Sequence, residues 1–104
     1  MKLRLIVMNG QRIVEAEEND GWKIQEVGKA GKLKPGIYNL YSSQQVDKSK
    51  RHDGMIVHSA DGHIYQRVGG IIFMHSLADF YGTLPEIGTN KSIVYDAQGK
   101  AKWQ

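Results

Sequence analysis

The chain of 104 residues contains no cysteine. That excludes a disulfide framework and any thiolate metal site, and it points to an intracellular, reducing compartment. Proline occurs only twice, so the sequence is not a polyproline or low-complexity chain. Long apolar runs are missing as well. The N-terminal stretch MKLRLIVMNG begins with basic residues, but its apolar core spans only Leu5 to Met8. Four residues are too few for a signal-peptide core or a membrane span, so the stretch reads as a strand and the expected location is cytoplasmic, with no membrane partner. Charge of one sign does not dominate: the formal net charge is +3. A nucleic-acid partner is compatible with that balance and is not implied by it.

What is present is β-structure in short lengths. Residues 55–75, MIVHSADGHIYQRVGGIIFMH, read as three strands joined by Asp61-Gly62 and Gly69-Gly70. Such pairs supply the positive φ that two-residue hairpin loops require, and β-branched and aromatic residues flank them. Counting outward from the turns pairs His58 with Tyr65, Val57 with Gln66 and Met55 with Val68. Across the second turn it pairs Gln66 with Phe73 and Ile64 with His75. Side chains alternate along a strand. One face therefore carries Met55, Val57, Ile64, Val68, Ile71 and Phe73 with two polar members, Gln66 and His75. The other carries Ile56, His58, Tyr65, Arg67, Ile72 and Met74. Neither face is polar throughout, so both are expected to be covered, at least in part.

Before this meander, residues 2–7 and 12–17 flank a third hairpin pair, Asn9-Gly10, and residues 22–27 alternate as a strand. Residues 28–36 form a lysine-rich loop closed by Pro35-Gly36, and residues 37–41 read as a strand. Residues 42–53, with one apolar member in twelve, read as an exposed loop. After the meander come a helical turn at residues 76–81 with Ser76 as N-cap, then strands at 92–95 and 100–103. The expectation is one domain over residues 1–104. Its class is all-β and mostly antiparallel, a small curled sheet or barrel with a hairpin meander and one short helical turn.

Chemistry-bearing constellations are sparse. His58 and His63 fall on opposite faces by parity, His52 is placed in a loop, and zinc needs three or four converging ligands. No strained, glycine-flanked serine marks a nucleophile. Asp53 and Asp61 sit at turns, where aspartate serves backbone geometry. Gly69-Gly70 has no helix behind it and is not a phosphate loop. No enzyme activity, cofactor or metal is therefore expected. Two features remain. Lys29, Lys32 and Lys34 in one loop and Lys48, Lys50 and Arg51 in another would attract phosphate if they shared a face. Tyr38, Tyr41 or Tyr65 would then be available for stacking. Gln66 and His75 on an apolar face must find partners; they read either as a structural polar clamp or as a small ligand site at one end of the sheet.

One resemblance adds to this. From Gly54 to the C-terminus, the positions Gly54, Ile56, Gln66, Met74-His75, Leu77, Gly88, Ile93, Tyr95, Gly99 and Ala101 resemble the KfrB domain of broad-host-range plasmids. The resemblance covers about half the chain; residues before Gly54, including the strand at 37–41, lie outside it. It implies a small β domain linked to plasmid maintenance and segregation and found beside conjugation functions. It carries over no catalytic residue, and it makes Gln66 and His75 signature positions. Three readings follow: a non-catalytic accessory module binding a partner protein, a small inhibitor or toxin-like effector, and a nucleic-acid-binding small barrel. The effector would use an open patch around Ile56, Tyr65, Ile72 and Met74. Oligomeric state has no sequence signal.

Overall fold

The structure is a computed structural model that describes residues 2–104. It is all-β, with two packed sheets and two 3-10 turns. The first sheet contains β1 (Leu3–Met8), β2 (Gln11–Glu18), β3 (Gly21–Lys29) and β4 (Gly36–Tyr38), in the order β3-β2-β1-β4. The second contains β5 (Gln44–Gln45), β6 (His52–Ala60), β7 (His63–Val68), β8 (Ile71–Ser76), β9 (Asn90–Tyr95) and β10 (Ala101–Trp103), in the order β10-β9-β6-β7-β8-β5. Among the named strands every pairing is antiparallel except β5 with β8.

The turns follow their chemistry. Asn9, Gly10, Asp61 and Gly62 all hold positive φ, the type I′ requirement at both central positions. At the third hairpin Gly69 alone is positive, at 62°, as a II′ turn needs. The β7–β8 register matches the count from that turn, Gln66 against Phe73 and Ile64 against His75.

The β6–β7 register departs from the count after His58. His58 faces Tyr65, but the next partners are Ile56 with Gln66 and Met55 with Arg67, so Val57 is an inserted residue. A bulge at this point exchanges the faces of everything before it. Met55 and Val57 thereby join Tyr65 and Ile72 against the first sheet, in a core with Leu5, Val7, Val14, Leu33, Tyr38 and Leu40. Ile56 moves to the opposite face and packs with Ile64, Ile93 and Ala101, under Leu77, Phe80, Tyr95 and Trp103. Both faces of the meander are covered by the chain itself. The patch expected around Ile56, Tyr65, Ile72 and Met74 is thus not an open surface: the first three are at most 8% exposed.

The second sheet curls until Phe80, just beyond β8, bridges Ala101 of β10. That single bridge does not close the sheet into a barrel. Residues 37–41 do not continue as one strand; β4 stops at Tyr38 and a 3-10 turn follows at Leu40–Ser42. The 42–53 segment is not wholly loop either. Gln44 and Gln45 pair with Phe73 and Met74, and His52 and Asp53 open β6. The helical turn after β8 spans Leu77–Asp79, and Ser76 makes no side-chain capping bond. No helix among the described residues is long and apolar enough to cross a membrane.

Candidate functional site

The polar residues of the meander meet beneath its outer face. Gln66 and His75 are both 0% exposed, on neighbouring strands β7 and β8. The Gln66 amide donates from Nε2 to three backbone carbonyls, those of Lys91 at 2.9 Å and of His52 and Gly54 at 3.2 Å each. Its Oε1 lies 2.9 Å from His75 Nε2, and His75 Nδ1 lies 2.6 Å from the Tyr95 hydroxyl. Only one assignment satisfies every atom: three carbonyls require the amide NH2 to face them, so Oε1 accepts from His75 Nε2–H. His75 Nδ1 then accepts from Tyr95 O–H.

This node joins four strands. Gln66 ties β7 to β6 and β9 where β6 leaves β7 to pair with β9, while His75 and Tyr95 link β8 to β9 across the curl. Burial pushes the His75 imidazole down to about 4, with the neighbouring His52 adding to the effect. Burial also pushes the Tyr95 phenol well above its usual value. Both groups are therefore neutral at physiological pH, as the bonding pattern requires.

His52, which the sequence placed in a loop, opens β6 and is 4% exposed. Its ring stands edge-on to Phe73 at 4.9 Å and to His75 at 5.6 Å. Its Nδ1 has no partner among the described residues, and burial lowers its pKa. His58 lies on the opposite face, where Arg12 of β2 reaches Nδ1 at 2.6 Å. Arginine carries only donors, so His58 is held neutral, and burial and that charge both lower its pKa. Tyr95, His52 and Arg12 carried no sign of these roles in the sequence. Each partnership joins residues at least 20 apart: the curl of the second sheet brings His75 to Tyr95 and His52, and the stacking of the two sheets brings Arg12 to His58.

The two basic loops do not combine simply. Lys34 lines a cleft with Asn90 at the start of β9. Lys48 lies over the Tyr95 ring at the end of β9, 5.3 Å from its centre. Lys34 and Lys48 thus lie toward opposite ends of β9, while Arg51, bonded to Asp53, lies beside the Lys34 cleft. Two of the cations are engaged internally: Lys48 pairs with Asp79 at 3.0 Å and Arg51 with Asp53 at 3.1 Å. Lys29, Lys32, Lys34 and Lys50 are exposed. Tyr65 is buried at 7% within the inter-sheet core and stacks on His58, so its ring is not open to a base. Tyr38 is 2% exposed, and its hydroxyl donates to the Lys34 carbonyl.

A surface that the sequence reading did not single out is the outer face of the first sheet. Ile6 pairs with Ile13 and with Ile37, and Ile13 pairs with Val27. Paired residues share a face, so an apolar row crosses all four strands. Ile37 is 65% and Val27 54% exposed, with Ile24 at 60% and Met8 at 49% nearby. At its edge Arg4 sits 4.2 Å from the Trp22 ring and pairs with Glu15 at 2.7 Å. The sequence signal was alternation on both sides of Asn9-Gly10, in which the second set of residues is also apolar.

Two comparisons bear on the chain as a whole. The family model of the KfrB domain matches residues 51–104. Protein TraB of Escherichia coli is 31% identical over 102 residues, a match covering 94% of this chain and 69% of TraB. The similarity to TraB thus takes in the first sheet as well as the second.

Proposed function

The chain belongs to the KfrB domain family, a plasmid-associated domain, and from that premise we propose that it is a non-catalytic module binding a partner protein in plasmid maintenance, segregation or conjugation. The observation that carries this reading is the apolar row Ile37–Ile6–Ile13–Val27 on the open face of the first sheet. Four strands at about 4.8 Å spacing make the row some 14 Å wide. A contiguous apolar surface rimmed by paired charge is what a protein interface presents. The interior polar node supports a scaffold role: Gln66 and His75 spend their bonding capacity on backbone and on Tyr95. The effector reading loses its support, because the patch it needed is buried. The name of TraB fits a conjugation context.

The test is the double variant Ile24→Glu, Val27→Glu, confined to the exposed edge strand β3. Surface changes of this kind alter stability by no more than about 0.5 kcal/mol, so the melting temperature should hold. Plasmid retention and transfer frequency are then compared with wild type in complemented cells. At least a tenfold drop in either is expected. Wild-type values for both would remove the reading.

A further inference from the structure

A second surface lies between the sheets. The 3-10 turn Leu40–Ser42 lifts the chain away from β8, and β5 returns to it only at Phe73 and Met74. Ile71 and Ile72 therefore have no strand neighbour on that side. Val68 and Ile71 close a two-residue hairpin, so Ile71 turns its backbone polar groups toward β7 and Ile72 turns its own outward; the pairing of Gln44 with Phe73 takes up the Ile72 carbonyl and leaves its N–H free. Facing this edge is the end of β4. Between them is an open cleft of about 290 Å³ lined by Ile37, Asn39, Ser42, Gln44, Arg67 and Ile71 among others. That is roughly the volume of ten waters, room for two medium-sized side chains.

Charge identifies the occupant. The chain has four arginines. Arg4, Arg12 and Arg51 are paired with Glu15, Glu26 and Asp53, at 2.7, 2.6 and 3.1 Å. Arg67 has no carboxylate partner among the described residues, and none of the residues lining the cleft is acidic. Its guanidinium is positioned 5.6 Å from the centre of the Tyr38 ring, and that ring is itself fixed by the bond from its hydroxyl to Lys34. A planar fork held on an aromatic face recognises carboxylate by two parallel hydrogen bonds. Asn39, Ser42 and Gln44 add neutral polar groups, and Ile37 and Ile71, 65% and 43% exposed, add apolar contact. Nucleic acid is less well matched: affinity for phosphate backbone grows with the number of cations, and here there is one.

We propose that this cleft binds an extended, acidic peptide segment of a partner protein. A carboxylate engages Arg67, and the peptide backbone meets the outward N–H of Ile72, next to the point where β5 joins β8. The cleft shares Ile37 with the end of the apolar row on the first sheet but lies apart from β3, where the Ile24 and Val27 changes are made. Binding here with a silent β3 variant, or the reverse, tells the two ideas apart.

The experiment is a 15N NMR titration of the full chain with a capped hexapeptide alternating valine and glutamate. Valine–glutamine and valine–lysine peptides and a 12-base-pair duplex DNA serve as comparison probes. The acidic peptide should shift the amides of Asn39, Gly70, Ile71 and Ile72 and the Arg67 Nε–H. The glutamine peptide should bind at least fivefold more weakly. Arg67→Gln should weaken the acidic peptide at least tenfold with an unchanged melting temperature. Three results would overturn the proposal: no shifts in the cleft at millimolar acidic peptide, equal binding of the glutamine or lysine peptide, or shifts of these residues by duplex DNA alone.

Discussion

His75 donates through Nε2 to Gln66 Oε1 across 2.9 Å, and this bond fixes the protonation state of the buried node. Once Oε1 must accept, His75 is neutral with its proton on Nε2, and Tyr95 must donate to Nδ1. A second proton on His75 would evict the Tyr95 hydrogen and place a charge in a buried position packed against Phe80 and a second imidazole.

Acid should therefore unfold this protein early. His75 titrates at about 4 in the fold instead of its ordinary 6.5. Above pH 6.5 neither state binds the proton; between 6.5 and 4 only the unfolded chain does. Stability falls as pH falls across that window, by at most about 1.4 kcal/mol per unit, and levels off below it. His52 and His58, lowered by burial, push the same way. Urea midpoints between pH 4 and 7.5 measure the slope, and His75→Gln should make it shallower. A flat profile in the wild type would contradict the neutral node.

Gln66→Leu should cost roughly 3 kcal/mol or more, since it strands His75 Nε2–H and removes a donor shared by three buried carbonyls. Tyr95→Phe removes only the donor to His75 Nδ1 and should cost about 1–2 kcal/mol. Equilibrium denaturation ranks the two; equal costs would mean that the amide is not the centre of the node.

Two glycines should respond in opposite ways to alanine. At Gly54, which pairs with Lys91 just beyond the β6–β7 ladder, a Cβ would overlap the carbonyl of Arg67. Gly54→Ala should cost several kcal/mol or abolish folding, because backbone is what must move. At Gly70 nothing lies within 4 Å of the added carbon and φ is not positive. Gly70→Ala should leave the melting temperature within a few degrees. Near-neutral behaviour at Gly54 would refute the close approach.

For duplex DNA the spread and internal pairing of the basic residues set a ceiling. Lys34 and Lys48 lie at opposite ends of β9, and Lys48 and Arg51 are already paired. With one loop engaged at a time, about three phosphates are neutralised, so log affinity against log salt should be no steeper than about −3. A steeper slope, flattened by Lys50→Glu with Lys34→Glu, would show both loops on one duplex.

The sequence by itself determined the class of fold and its hairpins. Asn9-Gly10, Asp61-Gly62 and Gly69-Gly70 dictate turns through backbone sterics alone, and the β7–β8 register follows from the last of them by counting. It also marked Gln66 and His75 as polar residues on an apolar face that must find partners, and the resemblance from Gly54 onward identified the family. What it did not carry was any relation between strands distant in sequence or any local break in register. The Val57 bulge has no local signature, because valine suits either face, and it decides whether Met55 or Ile56 meets the first sheet. The Tyr95 partner of His75, the Arg12 partner of His58 and the Tyr38 partner of Arg67 come from strands distant in sequence, and the apolar row from Ile37 to Val27 likewise joins such strands. Turn chemistry is a property of adjacent residues; faces, buried bonds and open surfaces depend on which strand lies beside which, and that was decided only by the pairing of distant strands within each sheet and the stacking of the two sheets.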